Sequence, residues 1–314
     1  MRNLDEQLTL ETWDKRSAVR NKPNTYSIIR PSDEAQHQCD WFPRAMLPFL
    51  KCPQFEHIAE ESIHRLLAEH LIYFLDYTVI LEHLFVNRSL EVIMYDSLKA
   101  NLTRELSATA MQIYTDEGYH ALFSNQLARD VSKKFSIRRR SRMPFRLEAL
   151  SELISETNPE ERDLISFCIG FISETIIAKE IAQITTTTLA PQAYALLKDH
   201  LEDEKTHAWF FSIAFQEVWC NATNRQRRVI AKSLPLILKT FCLTDEAWLA
   251  EVLHETGVSP EFADSITTQI NSESSIVTRV MSVAAMTLSV LRKNGLFSNR
   301  EYANHFKTAG LPDA

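Results

Sequence analysis

One five-residue word occurs twice in this chain: Asp116-Glu117-Gly118-Tyr119-His120 and Asp203-Glu204-Lys205-Thr206-His207. On a helix, Glu and His three positions apart project from one face, one turn from each other. A carboxylate and an imidazole so placed can hold one metal ion, and two facing helices of this kind can hold two. A single D-E-x-x-H arises by chance roughly 0.04 times in a chain of this composition, so a second copy is hard to assign to accident. The word constrains the fold directly, because it needs helices and needs them to meet.

The rest of the chain is written for helices. It has five glycines, none before Gly118, and no proline between Pro53 and Pro144. Scarcity of breakers favours long helices, and no run of alternating β-branched residues sits between hairpin turns. Each word has a solitary glutamate upstream in an apolar stretch, Glu82 within 71–86 and Glu174 within 167–178. A helix apolar on all sides is buried. A buried carboxylate costs several kcal/mol, or takes up a proton, unless a cation or hydrogen bonds compensate it. Glu91 and Glu180 are alternatives to these two, in less apolar or more charged surroundings.

Spacing adds a test. Glu82 precedes Glu117 by 35 residues, and Glu174 precedes Glu204 by 30. If each pair lies on a helical hairpin, equal depth puts the turns near the midpoints. The first midpoint falls between Lys99 and Ala100, where Asn101 or Thr103 can cap the next helix, and the second at Leu189, just before Pro191. Arms of about 15 to 18 residues span roughly 22 to 26 Å. All four glutamates then lie near the middle of a bundle, and Asp116 and Asp203 are placed to accept a hydrogen bond from a ligand histidine's outer nitrogen.

The order E…D-E-x-x-H…E…D-E-x-x-H resembles the di-iron arrangement of ferritin-like four-helix bundles. His200, four residues before Glu204 and seven before His207, extends the second word to H-x-x-x-E-x-x-H. It could instead be a surface residue paired with Glu204. With His200 included, residues 60–290 resemble the p-aminobenzoate N-oxygenase family, which adds a histidine at this place.

The resemblance implies an all-α fold with a ferritin-like four-helix core and additional C-terminal helices. It implies two iron ions, with Glu82, Glu117 and His120 on one, Glu174, His200 and His207 on the other, and Glu117 and Glu204 bridging. Manganese in one site fits the same ligand types. It also implies an O2-dependent N-oxygenase of secondary metabolism that converts a small-molecule amine to a hydroxylamine, nitroso or nitro product. Its electrons would come from a ferredoxin or reductase, and Arg279 would receive a substrate carboxylate. The rival functions are a di-iron C–H hydroxylase or desaturase acting on a small or carrier-bound substrate, and a ferritin-like iron-binding protein without oxygenase activity.

The remaining features set bounds. The chain reads as a single domain, with residues 1–52 an irregular arm, 55–222 the metal-binding core and 223–314 additional helices. Tyr77, Tyr114 and Tyr119 read as core tyrosines, and His83, next to Glu82, as a packing residue. The run Arg138-Arg139-Arg140-Ser141-Arg142, with Arg146, reads as a solvated loop or as a dock for an acidic partner such as a ferredoxin or carrier protein. Five scattered cysteines argue against a disulfide scaffold and fit a cytoplasmic protein. The net charge of −7 and the absence of a groove-binding motif argue against nucleic acid. The stretch 71–86, interrupted by Asp76 and Glu82, is too short to span a membrane. A homodimer is compatible with all of this.

Overall fold

The computed structural model describes residues 10–21, 26, 39–140 and 142–311. The described residues are all-α, with one isolated bridge, Asp40 to Leu189, and no strand. Two short helices come first, α1 (Leu10–Arg16) and α2 (Ala18–Asn21). The first bundle arm is α3 (Glu60–Leu81), a π-helical turn (Glu82–Val86) and α4 (Asn87–Met94). A connection through 95–103, with Asp96, Lys99 and Asn101 in the left-handed region, leads into α5 (Arg104–Phe135). Thr103 caps α5 by accepting from the Leu106 N–H at 3.3 Å. A loop and α6 (Phe145–Glu156) cross to the second hairpin, α7 (Arg162–Ile184) and α8 (Pro191–Asn221).

These four arms form the bundle. α3 and α4 pack on α5, α7 on α8, α4 on α7, and α5 on α8. The later helices are α9 (Asn224–Phe241), α10 (Glu246–Thr256), α11 (Pro260–Ile270), α12 (Glu273–Val283), α13 (Ala285–Lys293) and α14 (Arg300–Thr308). α9, α12 and α13 pack on α7, α10 on α3, and α14 on α9. The apolar pattern of 274–294 continues with a single helix's period, yet the chain bends by 72° between α12 and α13. No single described helix is long and apolar enough to cross a membrane.

The N-terminal arm departs from expectation too. Instead of being irregular throughout, it forms α1 and α2 and then a series of short 3₁₀ turns over 44–55. Trp41 is buried, and the Tyr26 hydroxyl donates to Asp199 at 2.7 Å.

The apolar interior of the bundle has two parts. One runs from Leu81, Ile113 and Phe171 to Phe210 and the C-terminal helices. The other joins Leu75, Phe123, Ile177 and Leu197. A polar layer divides them, at the level of the two sequence words. Close approach of α4 and α7 depends on Gly170, one turn before Glu174. A Cβ there would fall 2.4 Å from the Ser89 Cβ and 3.2 Å from Phe211. Gly118, inside the first word, is the opposite case. It is exposed, and a Cβ would meet nothing within 4 Å.

Gly118→Ala should therefore raise stability by about 0.5–1 kcal/mol, since alanine is the better helix former and no contact opposes it. Gly170→Ala should lower stability by about 1–3 kcal/mol through overpacking. Urea unfolding of the two variants checks both signs.

Candidate metal centre

Four elements feed the polar layer. The π turn opens with Glu82; α5 supplies Asp116, Glu117 and His120; α7 supplies Glu174; α8 supplies His200, Asp203, Glu204 and His207. The seven candidate ligands are between 0 and 2% exposed, so solvent cannot share in their charge. A π turn takes in one extra residue and rotates the later part of the helix by about 100°. Phe85, Val86 and Asn87 are consequently buried in succession. His83 is exposed, so its expected packing role is corrected. Glu91 pairs with Arg88 at 2.9 Å, away from the layer.

The donor atoms converge closely. His120 Nδ1 lies 3.2 Å from Glu204 and 3.6 Å from Glu117. His207 Nδ1 lies 2.8 Å from Glu117, 3.3 Å from Glu204 and 3.7 Å from Glu174. His200 Nε2 lies 2.9 Å from Glu82 and 3.1 Å from Glu204. Two sets can each enclose a cation: Glu82, His120, His200 and Glu204; and Glu117, His120, Glu204 and His207. These sets are not the expected division of ligands: His120 falls in both, Glu117 is absent from the set of Glu82, and Glu174 is in neither. His200 stands with Glu82, not with Glu174, because its ring turns toward the π turn. Glu174 approaches the second set through His207.

These approaches are close, yet most are not hydrogen bonds. Both oxygens of Glu82 and of Glu117, one oxygen of Glu174 and of Glu204, and Nδ1 of His120 and His207 are buried without a hydrogen-bond partner among the described residues. Short separations with poor donor–acceptor directions mean that the atoms aim at common points between them, not at one another. Unpaired oxygens and imidazole nitrogens around such points are a donor set suited to hard or borderline divalent cations. The residues present fit a two-cation centre.

The outer nitrogens are held by a crossed arrangement. His120 Nε2 donates to Asp203 Oδ2 at 3.1 Å, and His207 Nε2 donates to Asp116 Oδ2 at 3.3 Å. Each aspartate thus orients the histidine of the other word, fixing the tautomer with Nδ1 inward. Asp116 receives further donors from the N-terminal arm. Trp13 Nε1 lies 3.0 and 2.9 Å from its two oxygens, and the Ser17 hydroxyl donates to Oδ1. The Ala18 N–H donates to Asp203 Oδ2 at 3.1 Å. Nothing in the local sequence of the arm signals these contacts, which join residues 99 to 185 positions apart.

Arg279 lines a cavity of about 600 Å³ flanking the bundle, together with Phe74, Tyr77, Arg146, Glu180 and Trp248. Its donors are committed elsewhere, to Cys242 O at 2.7 Å, Ile270 O at 2.6 Å and Asn271 Oδ1 at 3.2 Å. It satisfies carbonyls at the C-terminal ends of α9 and α11, and these contacts do not give it the expected carboxylate-binding role. Arg146, grouped by sequence with a solvated run, lies partly buried over the Tyr77 ring at 5.5 Å, with Nε donating to Leu243 O. Within that run Arg139 pairs with Asp76, Arg140 with Glu251 at 3.2 Å and Arg142 with Glu148 at 3.4 Å. Ser141 lies outside the described residues.

Burial raises Glu82 to about 7, against the pull of His200, and raises Glu174 well above the usual carboxylate value, with Glu204 and Glu117 adding to it. Burial alone would lower His120 and His207, but the carboxylates around them raise both well above 6.5; His200 is raised as well, by Glu82 and Glu204. Burial would also raise Glu204, yet the histidines, His207 foremost, hold it well below 4.5. Without cations, then, protons compensate the layer. Groups with raised values stabilise the fold below their unfolded values, and that contribution is lost as pH rises from 4.5 through about 7 and beyond. Glu204 has the opposite sign and matters only below 4.5. Divalent cations replace these protons, so the gap in melting temperature between metal-loaded and chelator-treated protein should widen between about pH 5 and about pH 8. Thermal melts across that range check it, and a gap that narrows would contradict it.

Comparison with known proteins agrees with the geometry. The family description "P-aminobenzoate N-oxygenase AurF" matches residues 9–292. A 4-aminobenzoate N-oxygenase of Streptomyces thioluteus is 23% identical over 256 residues, covering 79% of this chain and 74% of that protein. The match takes in α1, all four bundle arms and most of the C-terminal helices, and the chain belongs to the p-aminobenzoate N-oxygenase family.

Proposed function

We propose that this chain is an O2-dependent di-iron N-oxygenase, which oxidises the amine of a small molecule to a hydroxylamine, nitroso or nitro product. The observation that carries the reading is the buried layer of four carboxylates and three imidazoles in a member of this family. Two Fe(II) ions would balance the four carboxylate charges, and would supply the site and the electrons for activating O2. The protein's part is to keep that layer dry and fixed. The Phe123 ring packs on His120 at 5.3 Å and on His200 at 5.6 Å between centroids, and closes one side against water. Asp116 and Asp203 hold the two histidines of the words.

The 600 Å³ cavity is the proposed substrate chamber. Its volume suits a ligand of one or two rings. Its wall comes from Phe74 and Tyr77, ahead of Glu82 on α3, and from Glu180, beyond Glu174 on α7. Glu180 stands beside Lys179 in the sequence, yet it is partly buried and burial raises its pKa. Aromatic walls favour an arylamine, and low polarity favours the neutral amine, whose lone pair is the reactive one. Arg146 enters this chamber and is the proposed partner for an acidic group on the substrate.

His200→Ala and Glu174→Ala should each lose iron, measured per chain after anaerobic loading, and should lose turnover. Full loading and turnover in either variant would remove the basis of the proposal. With isotopically labelled O2 and an arylamine, label should appear on nitrogen; label on carbon would indicate a hydroxylase instead. Arg146→Gln should raise KM about tenfold for a carboxylated arylamine, the effect of losing one charge-assisted hydrogen bond, with little change for a neutral arylamine. Equal KM changes for both substrates would place the acidic group elsewhere.

A further inference from the structure

The two short helices of the N-terminal arm hydrogen-bond to the bundle at the pair of aspartates behind the candidate metal centre. Asp116 is saturated there. A carboxylate offers about four acceptor positions, and this one takes Trp13 Nε1 across both oxygens, the Ser17 hydroxyl on Oδ1 and His207 Nε2 on Oδ2. Asp203 Oδ2 takes the Ala18 N–H and His120 Nε2. Ser17 and Ala18 are 3 and 2% exposed, so these bonds form away from solvent. Between the arm and the bundle lies a cavity of about 480 Å³, whose lining includes Trp13, Ser17, Gln112, Asp116, Asp203 and His207. The arm is the outer wall of this approach to a candidate ligand.

We propose that Trp13 and Ser17 are positioning residues for the metal centre, and that α1 and α2 form a strap whose docking and metal occupancy reinforce each other. The inference rests on the two-cation reading of the layer. Helices of seven and four residues do not hold themselves together in water, so the strap depends on tertiary contacts such as those to the two aspartates. The aspartates in turn need the strap. With His207 alone on it, Asp116 could swing, and His207 would lose its fixed tautomer. Partners of this kind, behind a metal-ligating histidine, typically change metal affinity by 10–100-fold when removed. A cation on the inner nitrogen makes the outer N–H a stronger donor to its aspartate. Whatever free energy the strap adds to metal binding, metal adds equally to strap docking.

The test uses Co(II) as the probe, with the full chain. Trp13→Phe combined with Ser17→Ala removes the arm's side-chain donors to Asp116 and leaves an aromatic ring and a small side chain in their places. Lys15→Ala, an exposed change on the same helix, is the control. Wild type and control should bind two Co(II), and the double variant should bind 10–100-fold more weakly with shifted visible bands. Tryptic cleavage after Arg16 and Arg20 should slow on Co(II) addition in wild type and control, but not in the double variant. Equal affinity and identical bands in all three proteins would overturn the strap's role, as would cleavage that ignores Co(II) in wild type. If the double variant does not fold, Ser17→Ala alone should weaken Co(II) binding and Ser17→Thr should restore it; no difference between these two overturns the proposal. Failure of wild type itself to bind Co(II) would instead reject the metal-centre reading beneath it.

Discussion

Seven ionisable side chains share one layer from which water is excluded, and the architecture answers to what that requires. A carboxylate moved from water to an apolar interior loses several kcal/mol of solvation unless something replaces it. Here four carboxylates are buried together. No arrangement of main-chain donors could serve them, because helical N–H groups are already used within each helix. Only protons or cations remain. The raised values of Glu82 and Glu174 describe the proton solution, and the unpaired oxygens of Glu82 and Glu117 describe a geometry better suited to the cation one. The two apolar cores above and below supply the burial energy that holds such a layer in place.

The D-E pairing inside each word has a geometric reason. Neighbouring residues on a helix point about 100° apart. When Glu117 or Glu204 faces the centre, the aspartate before it points along the interface between α5 and α8, toward the back of the other word's histidine. Duplication of the word therefore yields a crossed pair of Asp–His contacts, and the two helices fix each other. A single word could not do this. The same crossing places both aspartates near one edge of the bundle, where one short segment of chain can reach the two of them.

The features legible in the sequence were those that helical period and charge control. Glu82 and Glu174 could be singled out because a lone carboxylate in an apolar helix needs a partner, and the turn positions could be placed because equal depth fixes the midpoint of a hairpin. Gly257, which closes α10, and Ser259-Pro260, which caps and opens α11, are ordinary stop and start signals of the same local kind. The rest depended on tertiary geometry. The π turn at Glu82 inserts one residue into an otherwise regular pattern, and nothing in an apolar run announces it. Arg146 belongs to a basic stretch that looks solvated; only the return of α10 beside α3 shows that it faces inward. Trp13 and Ser17 act across roughly a hundred residues, beyond the reach of any local signal.

His200 differs from the other two histidines in a way that bears on its chemistry. His120 and His207 present Nδ1 inward and are tied behind by aspartates. His200 presents Nε2 inward, and its Nδ1 is buried with no hydrogen-bond partner among the described residues. Its ring is oriented by packing, against Phe123 and against His120 at 4.2 Å between centroids, and not by an acceptor. A ligand held only by packing gives less electron density to its ion and can turn more easily than one locked by a carboxylate. The candidate centre is therefore uneven in how its histidines are held: at the π turn His200 is oriented by packing alone, and at the other end His207 is tied to Asp116. The π-turn end of the layer is the one nearest in sequence to Phe74 and Tyr77, the aromatic wall that α3 gives to the 600 Å³ cavity.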